Sequence, residues 1–106
     1  MEKEYHKLVR DRIPEIIRQS GNDCETAVLS DAEYCQALRQ KLIEEAGEVA
    51  EASGDDLIAE LADIYEVIDA LLASYGIAEN CILNAQAKRR ETRGGFAQKI
   101  MLLRTS

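Results

Sequence analysis

Residues 41–64 read KLIEEAGEVAEASGDDLIAELADI. Two helical patterns meet there across a break of only a few residues, and that meeting decides the fold. Upstream, Ser30-Asp31-Ala32-Glu33 has the form of a capping box, with Ser30 as N-cap and Glu33 at the third helical position. A first long helix is therefore expected from there to about Ala52. Gly54 supplies a C-terminal stop and Asp55 the next N-cap. The second long helix covers about Asp56 to Tyr75 and ends at Gly76. So short a break predicts an antiparallel helical hairpin.

Outward from the hairpin the elements are shorter. Pro14 suits the first turn of a short helix over Glu15 to Gln19, ended by Ser20-Gly21-Asn22. Cys24 to Leu29 reads as extended chain or loop. A further helix is expected from about Ala78 to Thr92, stopped by Gly94-Gly95, and Phe96 to Arg104 forms a short amphipathic tail. No linker, repeat or low-complexity tract divides the 106 residues, so a single domain is expected. The fold class is all-α, a helical hairpin core of a four-helix-bundle-like fold. A chain this small buries little apolar surface alone, so completion by oligomerisation is expected.

Composition excludes several classes. With 46% hydrophobic and 31% charged residues the chain is a folder rather than a disordered segment. The net charge of −7 argues against a binder of nucleic-acid polymers. No apolar run approaches the roughly 18 residues that span a bilayer, and Met1-Glu2-Lys3-Glu4 does not begin a signal region. Cys24, Cys35 and Cys81 are odd in number and widely spaced, which fits neither a disulfide framework nor a zinc site. Cys35 and Cys81 suit small core positions. A reducing, cytoplasmic location with no membrane partner follows as an expectation.

Charge is segregated along the chain. Leu42 to Ala87 holds eleven acids and no Lys or Arg, while all thirteen bases lie in the flanks. Such blocks are commonly solvated faces. At about 100° per residue, however, Glu45 falls inside the apolar arc of Leu38, Leu42 and Val49 on the first long helix. Glu48 lies at the edge of that arc, with Glu44 slightly further round. On the second helix Leu57, Leu61, Ile64, Ile68, Leu71 and Tyr75 define the expected buried face. Glu60 falls at its edge, with Asp63 just beyond, whereas Glu51, Glu66 and Asp69 point away.

A Glu centred on an apolar stripe is costly unless it is paired, protonated or bound to metal. Two carboxylate pairs on neighbouring helices can converge on one pocket, where a hard divalent cation such as Mg²⁺ takes a few carboxylates plus water and phosphate. The alternative is a salt-bridge network using distant basic residues, since within the hairpin no base is at hand and Lys41 lies just outside it. The Glu-x-x-His pairs of di-iron bundles are missing; His6 is the one histidine and reads as a surface residue. Nor does the sequence hold a Gly-rich phosphate loop.

Glu44-Glu45-Ala46-Gly47-Glu48 followed by Glu60-Leu61-Ala62-Asp63 reads as EExxE and ExxD. Together they resemble the signature of the MazG-like all-α NTP pyrophosphatase superfamily, which includes phosphoribosyl-ATP pyrophosphohydrolase. Lys7-Leu8-Val9-Arg10-Asp11-Arg12-Ile13-Pro14 looks like the KLVRDxIP segment of a house-cleaning branch. Lys88-Arg89-Arg90-Glu91-Thr92-Arg93-Gly94-Gly95-Phe96 is similar to a basic RGGF-type ending in the same superfamily.

The resemblance implies a homodimer or homotetramer with Mg²⁺, or Mn²⁺ in its place, at the acidic motif. The implied activity cleaves a nucleoside triphosphate between its α and β phosphates to a monophosphate and pyrophosphate. By motif position Glu45, Glu48, Glu60 and Asp63 are the implied metal ligands, and Glu44 a further ligand or water-orienting base. Glu44 and Glu45 are thus the candidate catalytic residues. Asn84 and Lys88 resemble substrate-contacting residues, with Lys7, Arg10, Arg12, Lys41 and Arg93 as phosphate partners. Cations at a helix C-terminus are also favourable on electrostatic grounds alone, which is the other reading of Lys88 to Arg93. Phosphoribosyl-ATP hydrolysis and a non-catalytic nucleotide- or metal-binding module are the alternatives. Tyr5, Tyr34, Tyr65, Tyr75 and Phe96 are the candidates for stacking on a base, without ranking.

Overall fold

A computed structural model describes residues 6–106. Tyr5 lies outside the described residues. The fold is all-α, with α1 at Ile13–Gln19, α2 at Asp31–Glu51, α3 at Asp56–Tyr75 and α4 at Glu79–Arg93. The chain forms two compact units that divide after Gly76, the second being Ile77–Ser106.

In the first unit, Pro14 occupies the opening turn of α1, where its missing N–H costs nothing. The start of α2 is fixed by the capping box. The Glu33 backbone N–H donates to Ser30 Oγ at 3.2 Å, and the Ser30 backbone N–H donates to Glu33 Oε1 at 3.2 Å. Hydrogen bonds from Ser30 hold the Glu33 carboxyl below its ordinary pKa. The chain then reverses around Gly54 at φ 56°, and α3 stops at Gly76 at φ 65°. Both positions use the left-handed region that glycine enters without a Cβ clash. Asp55 precedes α3 as expected, but its backbone is already helical and its side chain caps nothing. The tight reversal places it inside the turn rather than in the extended conformation that a capping side chain requires.

α2 and α3 pack against each other as the expected hairpin. Arg39, early in α2, donates from Nε to the Tyr75 hydroxyl at 3.0 Å at the far end of α3. Its guanidinium lies 5.3 Å from the Tyr75 ring centroid, a cation–π distance. The seam is narrow. Leu38 at 3% and Val67 at 7% relative exposure are the buried hydrophobic residues among those described.

This corrects the expected packing face of α3. Leu57, Leu61, Ile68 and Tyr75 are exposed, and Ile64 and Leu71 half-buried. The buried position is Val67, and the side of α3 toward α2 also carries Glu60, Asp63, Ala70 and Ser74 at intermediate burial. α3 is apolar around so much of its circumference that periodicity alone does not select one stripe.

In the second unit α4 is mostly polar, has no buried residue and ends at Gly94. Cys81, expected in a core, is exposed there, while Cys35 is half-buried on α2. Phe96 and Ile100 to Leu103 are exposed and lie outside any helix. Among the described residues no helix is long and apolar enough to cross a membrane.

Replacing Ser30 by Ala removes the side-chain half of the capping box. The expected cost is about 1 kcal/mol, a fall in Tm of roughly 4–8 °C for a domain of this size, measured by thermal circular dichroism.

Candidate metal centre

The hairpin brings carboxylates from both helices to one place. Glu45 on α2 faces Glu60 and Asp63 on α3, and one oxygen from each lies within 4.8 Å of the other two. Glu45 is 8% exposed and is the buried charged residue among those described. Its place follows from helical phase, since it sits two turns after Leu38 on the same stripe of α2. Glu60 and Asp63, three apart, fall on one side of α3. Rigid helices thus hold a three-carboxylate group without help from a loop.

Cations surround this group more closely than the sequence suggested. Lys41 lies inside α2, one turn before Glu45, not beyond the hairpin. Its Nζ is 3.7 Å from Glu45 Oε1 and 3.3 Å from Glu44 Oε2. The segment before α1 contributes two more cations. Arg10 Nη2 donates to Asp63 Oδ1 at 2.7 Å, and Lys7 Nζ donates to Glu44 Oε1 at 3.3 Å. Long-range folding of residues 7–12 onto the hairpin, which helical phase does not encode, created these contacts.

Electrostatics separate Glu44 from Glu60. Desolvation raises the Glu44 carboxyl, but hydrogen bonds and attraction from Lys41 and Lys7 outweigh it and leave the pKa lowered. Glu60 is raised, by desolvation first and then by the charges of Glu48, Asp63, Glu45 and Asp56. Among the described residues, no Lys or Arg stands within ion-pair distance of Glu60. Within the three-carboxylate group, Glu45 and Asp63 have such partners and Glu60 does not.

Glu48 is exposed and outside the three-carboxylate group, though its charge reaches Glu60. Arg12 pairs with Glu15 on α1 at 3.3 Å. Asn84, Lys88 and Arg93 lie exposed on α4 in the second unit.

A cavity of about 410 Å³ opens between residues 8–13 and the hairpin, and Arg10, Arg12, Lys41, Glu45 and Asp63 all line it. Glu66 lines it too, although its helical phase had set it aside as solvent-facing. The missed signal was the segment that folds over α3, not the helix itself.

The donor set suits a hard divalent cation, which takes oxygen ligands: three carboxylates, two of them half-buried and one buried. Glu45, Glu60 and Asp63 are the residues that would hold it.

A protein of Mycolicibacterium smegmatis, described as an uncharacterized protein, is 50% identical over 54 residues, covering 51% of this chain. The chain spans little more than half of that relative, 55% of its length. No family model matches the chain, and no solved structure matches it.

Because its folded carboxyl is raised, Glu60 binds a proton more readily folded than unfolded. Its ionisation therefore lowers stability above the folded pKa, and that loss is recovered as pH falls through it. Glu60→Gln is expected to raise Tm at pH 7 in a chelating buffer, with the difference vanishing in acid. Added Mg²⁺ should raise the Tm of the wild type and raise that of the variant less. Differential scanning calorimetry across pH and Mg²⁺ concentration checks both effects.

Proposed function

We propose that the chain is a Mg²⁺-dependent nucleoside triphosphate pyrophosphohydrolase of the cytoplasm, cleaving the α–β anhydride to a nucleoside monophosphate and pyrophosphate in house-cleaning of non-canonical nucleotides. The observation that carries this reading is the convergence of Glu45, Glu60 and Asp63 within 4.8 Å across two helices. The MazG-like motifs and the KLVRDRIP segment support it by resemblance.

Bound at those carboxylates, Mg²⁺ would lower the pKa of a coordinated water and neutralise phosphate charge. The chain's own groups do the rest. Arg10 and Lys41, which line the cavity beside Glu45 and Asp63, are donors for the phosphate oxygens. Lys7, within 3.3 Å of Glu44, is placed to join them. Glu44, kept ionised by its lysines, is suited to orient a water by accepting its hydrogen bond. Anhydride cleavage needs mainly this positioning and charge stabilisation. Glu48 belongs to the ligand set only by resemblance.

The same reading has the chain act as a homodimer or homotetramer. Leu57, Leu61, Ile68 and Tyr75, exposed along one side of α3, support it.

A second reading has an observation in its favour: Lys41 and Arg10 already pair with Glu45 and Asp63 at 3.7 and 2.7 Å. On that reading the acids are structural partners of the N-terminal segment, and calorimetry with millimolar Mg²⁺ would register no binding.

The deciding experiment incubates the protein and Mg²⁺ with a panel of canonical and modified nucleoside triphosphates. Pyrophosphate and a monophosphate are expected; orthophosphate, or no turnover of any compound, overturns the proposal. Glu45→Gln and Asp63→Asn should each lower kcat/KM by about 100-fold or more, the scale of losing one electrostatic contact to a transition state. Far-ultraviolet circular dichroism should remain helical in both.

A further inference from the structure

The cavity beside the carboxylates has a second end with different chemistry. Along α2 its lining runs from Glu45 back to Leu38 and Tyr34, and along α3 from Asp63 on to Val67 and Ala70. The helices are antiparallel, so both series lead away from the carboxylates in the same direction. At 1.5 Å per residue, Ala70 lies roughly 10 Å along the axis from Asp63. Ile13 and Ile16 of the first helical segment close the apolar end from the other side. Leu38 and Val67, the most buried apolar residues of the unit, form its floor.

That gradient matches a particular kind of ligand. Its volume, about 410 Å³, lies within the range of small-molecule sites, which are apolar with a few placed polar groups. Tyr34 gives an aromatic surface for stacking, a contact every base can use. Glu66 and Arg12, also in the lining, add an acceptor and donors for the polar edge of a planar ring. A purely aliphatic ligand would leave those charges facing hydrocarbon, and a bare polyphosphate would leave Leu38 and Val67 unused.

We propose that this cavity binds the base and sugar of a nucleotide whose phosphates meet Glu45, Glu60 and Asp63. The proposal rests on the phosphate-anhydride reading and adds the recognition site that reading lacks. Arg10, which both lines the cavity and bonds to Asp63, marks the junction between the two ends. Ala70 carries the smallest side chain at the apolar end and so leaves room there that a larger residue would fill.

The test separates base recognition from chemistry. Methyl-labelled full-length protein in a chelating buffer is titrated with AMP, GMP, CMP and UMP, and with ribose 5-phosphate as the base-free control. At least one nucleotide is expected to shift the methyl resonances of Ile13, Ile16, Leu38 and Val67, with Ile82 and Leu102 as references in the other unit. Ribose 5-phosphate, which lacks the base, should shift them clearly less. Ala70→Leu, which fills the apolar end, should weaken that nucleotide at least tenfold while leaving Mg²⁺ affinity within twofold.

No shift with any of the four nucleotides, equal shifts with ribose 5-phosphate, or undiminished binding by a folded Ala70→Leu variant each overturns the proposal. If that variant does not fold, the wild-type titration decides alone. Turnover of triphosphates together with an overturning result would leave the phosphate reading standing without this cavity. Methyl shifts without turnover would do the reverse.

Discussion

The first unit is organised around a carboxylate at the one place where two packed helices would ordinarily put hydrocarbon. Glu45 is buried on the seam of α2, and Glu60 and Asp63 approach it from α3. An isolated ionised carboxylate in such a position is strongly unfavourable, and three together repel one another. Lys41 answers Glu45 from one helical turn away, and Arg10 answers Asp63 from a segment 53 residues distant in sequence. The hairpin and the N-terminal segment therefore have interdependent positions. The cations ease the repulsion between the acids of the two helices, and the acids help to set where the cations lie.

The strength of that dependence should be kept in proportion. Arg10 and Asp63 are both partly exposed, and exposed ion pairs contribute about 0–1 kcal/mol each. Apolar contact must supply most of the adhesion of residues 8–16. Leu8, Ile13 and Pro14 are half-buried there, and α1 is too short to be stable by itself. The ion pairs set where the segment lies and which groups face the cavity; burial of its hydrocarbon keeps it there. This division explains why a cavity persists between segment and hairpin. Charges on both walls oppose complete collapse onto the apolar floor.

Much of this was legible in the sequence, for identifiable reasons. The capping box at Ser30 and the glycines at 54 and 76 are local signals, so the ends of α2 and α3 were readable from a few neighbouring residues. Glu45 was readable because α2 has one narrow apolar stripe and the acid interrupts it. α3 was harder. Its leucines, isoleucines and tyrosines cover so wide an arc that periodicity favoured the Leu57–Leu61–Ile68–Tyr75 side, whereas the seam runs along Val67, Glu60 and Asp63. Only the demand that acids on the two helices meet distinguishes these choices, and that demand is not a property of α3 alone. Arg10 on Asp63 and Glu66 in the cavity were unreadable for the same reason: both depend on chain that returns from far away in sequence.

Lys41, shared between Glu44 and Glu45, and Arg10 on Asp63 leave Glu60 with no cation in reach among the described residues, and its carboxyl is raised by desolvation first and then by the charges of its neighbours. A network built only for stability would gain by a third base, or by a neutral side chain at Glu60, since either removes repulsion without disturbing the packing of Leu38 and Val67. An acid with no cationic partner among the described residues, beside two paired ones, would on the proposed reading suit a ligand that carries charge of both signs. On that reading a divalent cation would meet the excess of carboxylate, and an accompanying phosphate would meet Arg10 and Lys41. That the same cavity continues from these groups to Tyr34 and Ala70 supports a ligand with an apolar ring beyond its phosphates.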